Sequence, residues 1–277
     1  MAMKAAKLSL AILASLVSIN SYCADGQDSA INKSDFYQLN EGQCSSTVKY
    51  VDRVPFSKVQ FNERTQYRTG SKAFLQMFRL AGVITQPDSI LKGTYWSIET
   101  DSNMGQHADQ FSSSYQEIEI NKGIYFNKFY VMPGFVWHTE SAGTQFDPYF
   151  QVGYNWTKTF TTGIRYRYNY WTYYTKDINK KWDRSAEHRI DLYVTKQFSD
   201  KFSIQYNPTF YQKVADTQYY YKNDQRHTLQ HNFIFSYKAT DRFTPYTELG
   251  YLDKTKNDKG EKVGEYQIRI GFRYDLN

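Results

Sequence analysis

Runs of strict period-two alternation, each about as long as a bilayer crossing, constrain this chain more than any other feature. In FTTGIRYRYNYWTYY (160–174), Ile164, Tyr166, Tyr168 and Tyr170 share one parity, and Arg165, Arg167 and Asn169 the other. On a strand these parities are opposite faces. Twelve such runs follow one another from about Val59, with turn residues between them: 58–68, 73–81, 92–101, 114–125, 129–139, 146–156, 160–174, 186–198, 202–214, 227–238, 243–253 and 264–276. A tilted strand needs about 9–11 residues to cross a bilayer, whereas strands of soluble domains average about 5–6. The expected fold is all-β, a twelve-stranded antiparallel transmembrane β-barrel of the bacterial outer membrane, over 57–277.

The connections support this. Those after runs 4, 6, 8 and 10 are tight (NK, TKT, SDK, ATDR). Those after runs 3, 7, 9 and 11 are long and polar, which predicts loops over 102–113, 175–185, 215–226 and 254–263. Only 69–72, which is short, and 82–91, which is long, break the pattern. Short turns at one end and long loops at the other describe an outer-membrane barrel, and an even strand count puts both chain ends on the short-turn, periplasmic side. Aromatics flank the tight turns: Phe126 and Phe129, Trp156 and Phe160, Phe198 and Phe202, Tyr237 and Phe243. Rings repeated at that position predict a girdle at the headgroup level. The alternative, core edges of a soluble β-protein, explains each pair but not the repetition.

At the N-terminus Lys4 and Lys7 precede an apolar run, Leu8 to Ile19, and then NSYCA. That is a secretory signal, with cleavage expected after Ala24. Cys23 sits in a poor context for lipidation. Removing 1–24 takes away two lysines and no acid, so the net charge of +6 falls to +4. Cys44 is then the only thiol, which excludes a disulfide framework or cysteine metal site. Residues 25–56 read as a polar extension, a periplasmic tail or a lumen plug. No later apolar stretch is long enough for a membrane-spanning helix.

In a barrel of this kind one parity faces lipid and the other the lumen. The basic lumen candidates are Arg64, Arg68, Arg79, Arg165, Arg167, Arg189, Lys213, Arg269 and Arg273, and the acidic ones Glu99, Glu117, Glu119, Asp191, Glu248 and Asp275. The cations crowd strands 1–2, 7–9 and 12. Such stripes concentrate anions in a narrow channel, and arginine offers a planar fork to carboxylates. The competing possibility is that opposite charges pair across the lumen and hold it shut.

GIRYRYNYWTYY (163–174), HRIDLYVTKQF (188–198), TPYTELGYLD (244–253), PGFVWH (133–138), GTQFDPYFQVGYNW (143–156) and QYRTGSKAF (66–74) together resemble the oligogalacturonate-specific monomeric porins, the KdgM/NanC type that includes the N-acetylneuraminate channel. The resemblance spans 58–276 in order. It implies a monomeric barrel that passes acidic oligosaccharides or sialic acid between facing basic ladders, with Arg165, Arg167, Arg189, Lys213 and Arg269 at ladder positions. Met132 and Gln151 stand where the resemblance places a basic residue. The ending RIGFRYDLN resembles the signal read by barrel-insertion machinery, through Arg269, Gly271, Tyr274 and Leu276, although Asn277 follows.

The partners expected are an acidic sugar or oligosaccharide, outer-membrane lipid and the insertion machinery, with no nucleic acid and no cofactor. The rival is a barrel enzyme such as a phospholipase. His138-Thr139-Glu140-Ser141 puts Ser141 three residues from His138, on the opposite strand face, so the pair does not form a nucleophile and base. A nucleic-acid binder would interleave arginine with tyrosine on one surface, not on opposite faces. Pro133, Pro208 and Pro245 fall within or beside predicted strands, where each removes a ladder donor.

Overall fold

The computed structural model describes residues 57–277 except 88, 215–218 and 258; the expected signal over 1–24 and the expected extension over 25–56 lie outside the described residues. The strands are β1 (Ser57–Arg68), β2 (Ala73–Ile84), β3 (Thr94–Gly105), β4 (Ser112–Lys122), β5 (Ile124–Phe126), β6 (Phe129–Glu140), β7 (Gly143–Thr157), β8 (Phe160–Lys176), β9 (Trp182–Gln197), β10 (Phe202–Lys213), β11 (His227–Tyr237), β12 (Phe243–Lys256) and β13 (Lys262–Asp275). Neighbours in sequence pair antiparallel, and β1 pairs with β13 to close the sheet. β4 and β5 both pair with β6 in a single register (Asn121↔Gly134, Ile124↔Val131), so they are two lengths of one stave and the closed barrel has twelve.

The prolines explain the interruptions. β4 and β5 part at Gly123, and pairing with β6 lapses at Lys122 and Gly123, opposite Pro133 and Met132 respectively, where Pro133 has no N–H to give. Pro208 likewise interrupts β9–β10 between Tyr206↔Val194 and Thr209↔Asp191. There the Asn207 side chain donates to the Leu192 carbonyl at 2.6 Å, supplying a donor where the proline has none. Pro148 interrupts β7–β8 between Phe146↔Tyr170 and Tyr149↔Arg167. Pro245 lies just beyond the last β11–β12 pair, Ser236↔Tyr246.

Three of the four predicted long loops are shorter than the sequence suggested, because the strands continue into them. The predicted 102–113, 175–185 and 254–263 reduce to 106–111, 177–181 and 257–261, whereas 215–226 keeps its length as 214–226. Side-chain capping tightens two of these turns. Asp177 accepts the N–H groups of Asn179 (2.8 Å) and Lys181 (2.9 Å), and Asn257 those of Lys259 (3.0 Å) and Glu261 (2.9 Å). Lys180 (φ 61°) and Gly260 (φ 78°) take the left-handed position in each.

The barrel is apolar outside and polar inside. Ile98, Trp137, Phe150, Ile164, Tyr166, Leu192, Phe233, Leu249, Ile268 and Ile270 are exposed on its outer face, whereas Glu99, Asp147, Arg167, Asn169, Asp191, Glu248 and Gln267 are buried. The parity expected for 164–169 therefore holds. At the short-turn end an aromatic belt runs through Phe126–Phe129, Tyr154–Trp156, Phe198–Phe202 and Phe243–Phe272. Nearer the loops a second belt contains Tyr67–Phe74, Tyr166–His188, Tyr206–His231 and Tyr251–Tyr266. Two belts separated by an apolar band match the two interfaces of a bilayer.

Candidate functional site: the charged lumen

The short-turn end opens into a cavity of about 560 Å³. Its walls are mainly amides, hydroxyls and phenols, among them Asn121, Tyr130, Gln151, Asn155 and Gln205. Met132 and Gln151, where the resemblance implied a basic residue, are cross-strand partners and belong to this lining. Arg64, Glu119, Glu248 and Arg273 also line the cavity, linking it to the charged lumen.

One charged wall is built on β7–β10. Asp191, fully buried, accepts from Arg165 Nε (2.8 Å), Arg189 Nε (2.9 Å) and Thr209 Oγ1 (2.9 Å). Arg167 is the cross-strand partner of Arg189, and its charge is met by Asp147 at 3.6 Å. The Tyr149 ring lies 5.2 Å from the Arg165 guanidinium and 5.4 Å from that of Arg167, and its hydroxyl donates to Glu119 at 2.5 Å. Tyr149 takes this position because Gly134 is its cross-strand partner: a Cβ there would lie 2.2 Å from the ring. Arg189 stacks on Tyr211 at 5.2 Å.

The opposite wall is built on β13, β1, β2 and β3. Staves β1 and β8 lie six apart in the ring of twelve, so the two walls face each other. Glu99 binds Arg79, meets Arg64 at 3.6 Å and accepts from Tyr115 at 2.9 Å. Arg269 donates to Glu248 at 2.6 Å and to Gln66 at 2.5 Å. Arg273 donates to Ser236 at 3.0 Å and lies 5.7 Å from the Tyr246 ring. Arg68 forms no ion pair among the described residues, and its buried Nε has no partner.

Lys213 stands apart from the arginines. Towards the long-loop mouth it pairs with Glu187 at 2.9 Å, between the rings of Trp171 (4.5 Å) and Tyr221 (4.8 Å). Tyr221, in the β10–β11 connection, donates to the same carboxylate at 2.6 Å. Burial and the Glu187 carboxylate push the Tyr221 phenol up. Thus Arg165, Arg167 and Arg189 meet in one cluster, Arg64 and Arg79 share a second, and Lys213 belongs to the mouth.

Most of the expected cations are ion-paired, but the partners lie at different depths. In all seven lumen pairs among the described residues the cation is the more exposed member. The side chains of Arg79 and Arg189 are 26% and 22% exposed, against 1% for Glu99 and 0% for Asp191. The carboxylates are recessed into the wall and the guanidiniums extend over them. Arg68, Arg167 and Arg273 also keep buried Nε groups without partners.

Several participants escaped the sequence reasoning. Asp147 and Tyr149 alternate with Phe146 and Phe150, and Glu187 shares parity with Arg189, so strict parity would have found them. Tyr221 lies outside every alternating run. Ser141 falls in the turn after β6, while His138 packs against the Tyr115 ring at 4.8 Å, and no hydrogen bond joins the two among the described residues.

The model of the oligogalacturonate-specific porin protein (KdgM) family matches residues 57–276. The N-acetylneuraminic acid outer membrane channel protein NanC of Escherichia coli K12 is 29% identical over 218 residues, covering 77% of this chain and 88% of that protein. NanC of Shigella flexneri matches with the same identity and coverage. The solved NanC porin superposes with a TM-score of 0.69 at 27% identity, over 78% of this chain and all of that one. A KdgM porin in complex with disordered oligogalacturonate shares the fold, with a TM-score of 0.54 at 17% identity over 79% of this chain and 99% of the other. Closed barrel, apolar exterior, facing arginine walls and family match agree: the chain belongs to the oligogalacturonate-specific porin family.

Proposed function

We propose that the protein is an outer-membrane channel through which acidic sugars or oligosaccharides diffuse passively, with anions favoured over cations. The observation that carries this reading is the depth difference within the lumen ion pairs. A solute meets guanidiniums first, while the compensating carboxylates lie behind them. Recessed acids fix the planes of the arginines, and the remaining N–H groups stay available to a carboxylate. Arg64, Arg68, Arg79, Arg165, Arg167, Arg189, Arg269 and Arg273 are the pore residues of this proposal, and Lys213 joins them at the mouth. A carboxylated sugar would pass from one fork to the next, each contact weak enough to release it. No covalent step or proton transfer is required.

The same proposal includes a cleaved signal over 1–24, a monomeric barrel over 57–277 and insertion through the C-terminal strand. Planar-bilayer conductance with galacturonate oligomers, N-acetylneuraminate and neutral sugars of equal size tests the function. Concentration-dependent block or current noise is expected from the acidic sugars alone. Equal effects of neutral and acidic sugars would overturn it.

A further inference from the structure

The outer face of the β8–β9 hairpin tip carries a group of side chains that conduction does not use. Tyr174↔Arg184 and Lys176↔Trp182 are successive cross-strand pairs of that face, with Thr175↔Asp183 between them on the other. The Arg184 guanidinium lies 4.7 Å from the Tyr174 ring, and the Lys176 ammonium 5.4 Å from the Trp182 ring. The two cations sit on one diagonal and the two rings on the other. Arg184 also donates to the Tyr170 hydroxyl at 2.9 Å, below which the outward parity continues through Tyr166 and Ile164. Tyr174 and Trp182 are 57% and 62% exposed, so the plaque faces out from the wall.

No described acid pairs with either cation. Two acids of the hairpin are turned to backbone: Asp177 accepts the N–H groups of Asn179 and Lys181, and Asp183 that of Arg184 at 2.7 Å. Neither Lys176 nor Arg184 forms a salt bridge among the described residues. Two cations that form no salt bridge among the described residues, each backed by a ring, form a receptor for an anion that approaches from the side.

Height narrows the anion's source. Lys176 lies six residues beyond Tyr170 on β8. Between them β8 bulges, so its partner β9 climbs only four residues, from Ala186 to Trp182; at about 3.3 Å per residue and a tilt of about 40°, Lys176 stands about 10 Å above the Tyr170 level. The interfacial layer of a phospholipid bilayer is only about 5–7 Å thick on each side. A headgroup reaching the whole plaque must be taller than a glycerophospholipid's. We propose that this plaque binds the phosphorylated sugar headgroup of a glycolipid in the outer leaflet, with Arg184 and Lys176 on the phosphate and Tyr174 and Trp182 against the sugar ring. The height argument rests on the outer-membrane placement proposed above, whereas the charge and stacking arguments do not.

Native mass spectrometry of the full chain, titrated with diphosphorylated lipid A, its dephosphorylated form and phosphatidylglycerol, tests the inference. Retention of the diphosphorylated lipid is expected, at least tenfold tighter than either alternative. The K176Q/R184Q variant should lose that preference while single-channel conductance is unchanged, since neither residue faces the lumen. Equal retention of all three lipids by the wild type, or undiminished preference in the folded variant, would overturn it. The headgroup comparison needs no variant, so a folding defect leaves the test intact, and altered conductance would bear on the channel and not on this site.

Discussion

At the residue scale, the lumen's behaviour turns on how deep each charge sits. Asp191 binds two arginines and a threonine while fully buried, so it organises charge without presenting it. Asp191→Asn should leave Arg165 and Arg189 uncompensated. The anion over cation permeability ratio should rise, and the unfolding free energy should fall by about 1–3 kcal/mol, the usual result of leaving buried polar groups poorly matched. Reversal potentials and urea unfolding in micelles measure the two effects, and a lower anion ratio would contradict the recessed-anchor account. Which residues face inward was readable from alternation alone, as Arg165, Arg167 and Asn169 show. Their partners were harder to see. Alternation gives a face, but not that Asp191 reaches both Arg165 and Arg189, nor that Gly134 leaves room for the Tyr149 ring beneath two guanidiniums.

At the scale of elements, the barrel's seam and its outer connections carry the features that depart most from sequence expectation. Asn277 follows the aromatic-apolar ending, and the structure uses it to extend the β1–β13 seam. Its Oδ1 accepts the Val59 N–H at 2.7 Å, and its Nδ2 donates to the Ser57 carbonyl at 2.9 Å. Deleting Asn277 removes two hydrogen bonds worth about 0.5–1.5 kcal/mol each. The urea midpoint should fall accordingly, and an unchanged midpoint would mean the seam closes without it. The β10–β11 connection is tied down separately. Tyr219 donates to the Thr175 and Asp183 carbonyls, both at 2.8 Å, and Asp224 pairs with Lys256 at 2.8 Å and Lys262 at 3.1 Å. Hydrogen bonds from Lys256 and then Lys262 hold the Asp224 carboxyl below its ordinary 3.8. A lowered folded-state value means the tie is intact above the ordinary value and is lost as pH falls through the depressed one. Hydrogen exchange of 219–226, corrected for intrinsic rates, should therefore stay flat from neutrality to about pH 4 and rise below it. In Asp224→Asn it should be fast throughout, and identical profiles would remove the ion pairs from the account. These ties could not be read from sequence, because they join segments whose approach depends on closure.

At the scale of the whole molecule, strand count, closure and the inside-out distribution of polarity were all legible, because a membrane wall imposes period two on every stave. Strand ends were not. Asp177 and Asn257 turn polar stretches into capped hairpins, and polarity alone suggested loops. The 177–181 and 257–261 turns are expected outside the cell. Maleimide labelling of Asn179→Cys in a Cys44→Ser background tests this. Asn179 suits the purpose better than Asn257, whose side chain caps its own turn. Labelling in intact cells is expected, and labelling only after permeabilisation would invert the barrel.

The most direct measurement of the central claim is the reversal potential of single channels under a salt gradient, for the wild type and for Arg165→Ala with Arg167→Ala. Arginines presented over recessed carboxylates should make the wild type anion-selective. Removing two of them while Glu119, Asp147 and Asp191 remain should move the reversal potential towards the cation value by several-fold in permeability ratio, with conductance retained because lumen substitutions spare the lipid-facing wall. The shift should shrink as ionic strength rises and screening shortens the reach of the remaining charges. An unchanged anion over cation ratio in the double variant would mean that the arginines only brace the barrel, and the proposed basis of its selectivity would be wrong.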